Sequence, residues 1–219
     1  AKSVLNDDEM DLGVCLMDIG GGTTDIAVFA GGAIRHTAVI PIAGDQVTND
    51  IAMTLRTPTK EAEELKIRHG CALRQLADAN DIVEVPGVGE RAPRKLSRPM
   101  LAEVIEPRIE ELYTLVQSEL RRSGFEELLS SGVVITGGTS ILQGMAELGE
   151  GVSHPPWRGA APSYMGGLAD VVRSPRYSTA VGLLMHGRDQ RMRAEAARAQ
   201  VKGITGVAER MRQWFKANF

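Results

Sequence analysis

Residues 12–29 read LGVCLMDIGGGTTDIAVF: an apolar run, an aspartate, three glycines, two threonines, a second aspartate, then apolar residues again. The two apolar runs predict strands over 14–19 and 25–30, joined at the glycines. A buried strand that turns on consecutive glycines exposes backbone N–H groups with no side chain in the way, a geometry that suits a phosphate chain. Asp18 stands where the first strand ends, placed to hold a hydrated Mg²⁺ that partly neutralises the phosphates. Thr23 and Thr24 add hydroxyl donors beside Gly20, Gly21 and Gly22. A plain hairpin is the competing reading. It needs one or two residues at positive φ, not three glycines and two threonines. It also leaves Asp18 and Asp25 to repel each other across the turn. No G-K-[ST] follows the glycines, and the G-x-G-x-x-G spacing fails because position 25 is aspartate.

With 43% hydrophobic and 24% charged residues among 219, the chain has the composition of an ordinary globular protein of one or two domains. Aromatic residues make up 4%, so no base-stacking nucleic-acid surface is visible and no nucleic-acid partner is expected. Cys15 and Cys71 form no C-x-x-C pair, the four histidines lack metal-ligand spacing, and a reducing cytoplasm is the expected setting. No apolar run approaches the length of a membrane span. Charge is unevenly spread. From Gly187 onward eight Lys/Arg face three Asp/Glu, a net of +5, which leaves −8 for residues 1–186. A basic tail on an acidic body points to an anionic partner for the tail. The chain begins at Ala1 rather than methionine, which reads as the second part of something longer.

Beyond the glycine turn, 33–41 reads as a third strand, 45–55 as a helix and 59–69 as a second helix ended by Gly70. Residues 80–96 read as a β-hairpin. A long helix follows over 98–123, with Leu101, Val104, Ile105, Ile109, Leu112, Leu115 and Val116 at helical spacing and Pro107 expected to bend it. Residues 132–136 form a short buried strand, 144–148 a short helix and 177–185 a helix opened by Pro175. Residues 187–202 read as a charged linker or a frayed helix.

The string VVITGGTS repeats the device of a buried strand ending in a diglycine, here Gly137 and Gly138 with Thr139. Two glycines at such a turn need no ligand, and alone they imply none. Glu63 and Lys66 stand at i and i+3 on one helix face, where they meet the hydroxyls of a ribose or form a surface ion pair of small worth. Arg91, Arg94, Lys95 and Arg98 lead into the helix that carries Arg108, a cluster that suits an extended acidic peptide or is simply a solvated basic face. In 203–219 the apolar residues Ile204, Val207, Ala208, Met211, Trp214, Phe215 and Phe219 cover about 140° of a helix, with Arg212 and Lys216 beside them. That pattern suits a helix lying in the headgroup plane of an anionic bilayer; docking on the protein body is the alternative.

Taken in order, these pieces resemble a family. DIGGGTTD resembles the second phosphate loop of the actin, Hsp70 and sugar-kinase superfamily, VVITGGTS its adenosine motif, and Glu63-x-x-Lys66 the nucleotide-contacting pair of its Hsp70-like members. RYSTAVGLL (176–184) resembles the helix connecting its two halves. Within the superfamily, GVCLMDIGGGTTDIAVFAGGAIRHTAVIPIAGDQVTNDIA, LKIRHGCA and LAEVIEPRIEEL resemble the FtsA family of bacterial cell-division proteins, almost end to end.

The resemblance implies an α/β, actin-like (ribonuclease H-like) fold. Residues 12–56 and 131–186 would form subdomain 2A, residues 57–130 an inserted subdomain 2B, 187–202 a charged linker, and 203–219 an amphipathic membrane-targeting helix. It implies ATP and Mg²⁺ as ligands, and a structural protein that is at most a weak ATPase. It implies self-association into filaments, and tethering of FtsZ to the cytoplasmic face of the inner membrane at the septum, among other divisome proteins. Arg94, Arg98, Arg108 and Glu111 would receive the FtsZ C-terminal tail. The superfamily's first half, with its other phosphate loop, is absent from these 219 residues, so the chain alone is expected to bind ATP poorly. A kinase or ATPase of the superfamily and an actin-like pilus-assembly protein are the alternatives; neither uses a terminal basic amphipathic helix. The segment 151–161 departs from the family pattern, and Pro155-Pro156 predict that its usual strand is disturbed.

Overall fold

The computed structural model describes residues 1–89, 91–153, 155–163 and 172–218; for 198–210, 213 and 215–218 it describes the backbone alone. A short helix, α1 (Asp7–Leu12), is fixed by a capping box in which Glu9 N–H donates to Asn6 Oδ1 at 2.8 Å and Asn6 N–H to the Glu9 carboxylate at 3.0 Å. It leads into three antiparallel strands, β1 (Val14–Ile19), β2 (Thr24–Ala30) and β3 (Ala33–Ile40). The chain then makes a long excursion through α2 (Gly44–Leu55), α3 (Thr59–His69), the hairpin β4 (Ile82–Val85) and β5 (Arg94–Ser97), and α4 (Arg98–Ser123). It returns as β6 (Val133–Thr136), parallel to β1. The helix α5 (Met145–Val152) brings it to β7 (Trp157–Gly159), and α6 (Ser178–Asn218) closes the chain. The sheet order is β3-β2-β1-β6-β7.

Strand alternation divides the core in two. Cys15, Met17, Ile19, Ile26 and Val28 face Val47, Ile51 and Leu55 of α2 and Leu101, Ile105, Ile109, Leu112 and Val116 of α4. The opposite sheet face is smaller: Val14, Leu16, Phe29 and Val134 pack with Val4 and Ala160. All four β6 residues are buried, as a strand between two parallel neighbours requires. Burial pushes the Cys15 thiol up to about 12, so it serves as a small apolar side chain.

Three expectations change. Leu115 is exposed, outside the buried stripe of α4. The strand doubted at 151–161 forms, as β7 at the sheet edge. Pro155 and Pro156 precede its paired residues, and Pro156 contributes what proline retains, a carbonyl that accepts from Val133 N–H at 2.9 Å. Trp157 anchors it: the indole lies over Gly149, where any Cβ would collide with the ring, and its Nε1–H donates to Ser153 Oγ at 2.8 Å. Finally, of the two readings of 187–202, linker or frayed helix, the helix forms, and it runs without a break into 203–218. The stretch is rich in Ala and Arg, contains no proline, and carries the i,i+4 pair Arg191–Glu195 at 3.1 Å.

Candidate functional site

The glycine turn is a hairpin after all. Gly20 N–H donates to Thr23 O at 3.0 Å, leaving Gly21-Gly22 as a two-residue loop. None of the three glycines has positive φ, so backbone conformation does not demand them. A Cβ would stand 3.2 Å from Thr23 O on Gly20 and 3.2 Å from Asp45 Oδ1 on Gly21, both tight contacts, whereas on Gly22 it would meet nothing closer than 3.9 Å, so packing leaves Gly22 free. What the glycines achieve is a turn whose outer face carries no side chains.

That turn is clamped from two directions. Gly20 O accepts from Gly44 N–H at 3.2 Å and from Thr139 Oγ1 at 2.7 Å, and Gly21 O accepts from Asp45 N–H at 2.7 Å. Two N–H groups of the first turn of α2, which have no partner inside the helix, are thereby used to hold the glycine turn. Gly44 is required here: a Cβ would stand 2.5 Å from Thr139 Oγ1 and 3.2 Å from Lys66 Nζ.

Around this knot opens a cleft of about 540 Å³. The glycine turn and Asp45 form its floor, α3 from Glu63 to Gly70 one wall, and Gly138 through Gln143 the other; Arg98 and Arg176 complete the lining. Lys66 lines the cleft but exposes little of itself there. It is buried, donating to Gly44 O at 2.9 Å and Thr48 Oγ1 at 2.8 Å and pairing with Glu63 at 2.6 Å. Its three N–H groups are thus committed, and Lys66 positions the floor where a ribose contact was expected. Burial alone would raise the Glu63 carboxyl; hydrogen bonds from Lys66 and Thr48, with attraction to Lys66 and Arg176, outweigh it and hold Glu63 below the usual carboxylate range. Glu63 therefore stays ionised and accessible.

Other expected contacts separate. Thr24 is buried and its hydroxyl donates to Ile42 O at 2.7 Å, so it braces the strand and offers nothing to a ligand. The Thr139 hydroxyl is spent on Gly20 O, while exposed Thr23 lies 3.4 Å from Asp25. Asp18 opens onto a neighbouring depression of about 320 Å³ shared with Thr136, Ser178 and Thr179, and Thr179 Oγ1 donates to its Oδ2 at 2.6 Å. Gly137, at φ +93°, lets the chain pass Asp18: a Cβ there would stand 2.5 Å from Asp18 Oδ1. Among the described residues no group of three or more His, Cys, Asp or Glu could hold a metal directly, and Asp18, with Asp25 opposite it on the next strand, suits an ion bound through water. Gly44, Asp45, Thr48 and Arg176 escaped the sequence reading. The Gly-Asp pair opening a helix just after the third strand was the available signal.

Three of the arginines expected on one basic face, Arg94, Arg98 and Arg108, are dispersed struts. Arg94 donates to Leu55 O at the end of α2. Arg98 donates to His69 O at 2.9 Å and Gln143 Oε1 at 2.6 Å. Arg108 grips Asp50 of α2 through two bonds, at 2.6 and 3.0 Å, and pairs with Glu111 at 2.5 Å. On α6, Met211, Arg212 and Trp214 are exposed. The side chains of Ile204, Val207, Phe215 and Lys216, and the whole of Phe219, lie outside the described residues. Among those described, no helix is long and apolar enough to cross a membrane.

Residues 15–182 match the family profile described as cell division protein FtsA. The chain is 58% identical to cell division protein FtsA of Pseudomonas aeruginosa, over 100% of this chain and 54% of the relative. It is 46% identical to that of Escherichia coli, over 99% and 54%. The chain thus spans about half the length of the curated relatives it matches. Among solved structures it resembles MreB 5 of Spiroplasma citri bound to AMPPNP, with a TM-score of 0.69 at 19% identity, over 88% of this chain and 57% of that one. It also resembles the PilM–PilN type IV pilus biogenesis complex, with a TM-score of 0.62 at 19% identity, over 83% and 47%. At such identity these likenesses establish the fold, which is actin-like. A glycine turn knotted to a helix N-terminus, within a sequence that matches across its whole length, places this chain in the FtsA family of cell-division proteins.

Proposed function

We propose that the chain contributes the nucleotide-binding and membrane-attaching part of an actin-like division scaffold, one that self-associates into filaments and tethers FtsZ to the cytoplasmic face of the inner membrane at the septum. Residues 12–56 and 131–186 act as subdomain 2A and residues 57–130 as 2B. ATP occupies the cleft. The face of Gly20–Gly22 and Thr23 takes the phosphates, the Gly138 wall and Glu63 take the nucleoside, and Asp18 holds Mg²⁺ through water. The bound ion supplies charge neutralisation for the phosphates. The chain's own residues supply position: Lys66 and Thr139 fix the floor, and Gly137 keeps the space beside Asp18 clear. The role is structural, with ATP hydrolysis weak at most.

The observation that carries this reading is a turn of three glycines that no positive φ requires, with open space over Gly22, at the floor of a cleft of about 540 Å³. A ligand seated against the turn gives those glycines a reason. The AMPPNP held by the Spiroplasma relative of the same fold supports the ligand class. In the complete protein, Gly21→Val places a branched side chain over the turn and abolishes ATP binding measured by calorimetry. Retained affinity in a folded variant would move the phosphates elsewhere. The FtsZ tail is assigned to Arg94, Arg108 and Glu111, and the bilayer to residues 203–219, where Met211 and Trp214 are exposed beside Arg212.

A further inference from the structure

We propose that Arg98 and Gln143 form a clasp that sets the width of the cleft and so the size of the base it admits; the second half of this statement rests on the nucleotide reading above. Arg98 opens α4, yet its side chain runs back to the end of the cleft where the two walls meet. Its Nε–H donates to the carbonyl of His69, the last residue of α3 and the neighbour of Gly70 in the wall, at 2.9 Å, while Nη2 donates to Oε1 of Gln143, the last residue of the opposite wall, at 2.6 Å. Nη1 lies 3.6 Å from the Asp81 carboxylate, and the Arg98 backbone N–H donates to Asp81 O at 2.8 Å, so the guanidinium is held from the side away from the cleft as well. The Arg98 side chain is 18% exposed, which limits the solvent screening that makes most surface ties weak.

Gln143 is fixed in turn through its main chain, whose carbonyl accepts from Ala72 N–H at 2.7 Å. The two walls are therefore joined at one end twice, by the main-chain bridge between Cys71 and Gln143 and by a planar group that bonds two acceptors at once. A lysine ammonium lacks that fork. Ile67 and Ile141 stand on opposite walls of the open part, 56% and 48% exposed, so wall separation decides what fits between them. Arg98 is thus a positioning residue: its guanidinium is spent on the walls themselves.

Two measurements on the complete protein test this. Spin labels at Ile67→Cys and Ile141→Cys report the wall-to-wall distance by double electron–electron resonance; in this chain Cys15 and Cys71 are buried. Arg98→Ala and Gln143→Leu should each broaden the distribution, the double variant no more than either single one, and Arg98→Lys should not restore it. By calorimetry, the preference for ATP over N6-benzyl-ATP should fall about tenfold in both variants, within the range by which a pocket sorts ligands by size. A lower melting temperature with an unchanged distance distribution would reduce Arg98 to a structural tie and overturn the clasp. Should Arg98→Ala fail to fold, Gln143→Leu, at an exposed position, decides. If the parent protein binds neither nucleotide, the ligand assignment fails, while the distance measurement still judges the clasp.

Discussion

Asp18 and Asp45 each have a glycine for a neighbour, and the two glycines serve different ends. Gly137 sits at φ +93° with its missing Cβ 2.5 Å from Asp18 Oδ1, so both conformation and space forbid a side chain. Gly22 has negative φ and nothing nearer than Asp45 Oδ2 at 3.9 Å. Gly137→Ala should therefore cost about 2–4 kcal/mol of stability, the sum of a strained φ and a forced contact. Gly22→Ala should leave urea denaturation unchanged and weaken ATP binding in the complete protein. Equal stability losses in the two variants would mean that the turn glycines serve the fold and not a ligand. This difference explains what could be read in advance. A run of three glycines beside an aspartate is visible in a string of letters. The need for glycine at 137 depends on the Ile19 backbone and the Asp18 carboxylate packed opposite, and the spending of Lys66 on Gly44 O depends on a backbone atom 22 residues away. Neither leaves a local pattern.

At the scale of elements, the arginines of the β5–α4 region brace α2 and the cleft walls. Asp50, the partner of Arg108, lies 58 residues earlier in the chain, which is why the sequence showed a basic cluster and concealed the acids that answer it. If an acidic FtsZ tail docks here, it competes with Asp50 for the same guanidinium. Asp50→Asn should accordingly strengthen tail binding several-fold, and Arg108→Leu should abolish it while the circular-dichroism spectrum is kept. If neither substitution changes tail affinity, this surface is not the docking site. The helices and strands themselves were legible because their periodicities are strong. The excess expectation at Leu115 arose because apolar spacing alone does not tell a buried stripe from its margin. The strand at 157–159 was hidden by two prolines that turn out to precede its ladder.

For the molecule as a whole, the chain divides into a body with two packed sheet faces and a helix that leaves it. The order of strands around the glycine turn was foreseeable, since each apolar run has one place in an actin-like sheet. The continuity of α6 was not, because high charge and Ala-richness are compatible with both linker and helix. If 203–219 is the anchor, Trp214→Glu puts a carboxylate among its apolar residues and should release the complete protein from anionic vesicles without lowering the melting temperature of the body. Flotation equal to that of the parent would remove the anchor assignment. Salt should weaken the attachment only in part, because Arg212 acts through charge and Met211 through burial.

The helix α6 begins with Thr179 bonded to Asp18 and continues for 41 residues, about 60 Å at the rise of an α-helix. A flexible tether of that many residues would let the body tumble above a surface. A spar does not: it prescribes both a stand-off and an inclination. Subunits aligned in a row and carrying such spars would all rest their tips on one contour, so the row has a preferred curvature of the surface beneath it. A spar rooted beside Asp18 also makes that carboxylate the pivot from which the inclination is set.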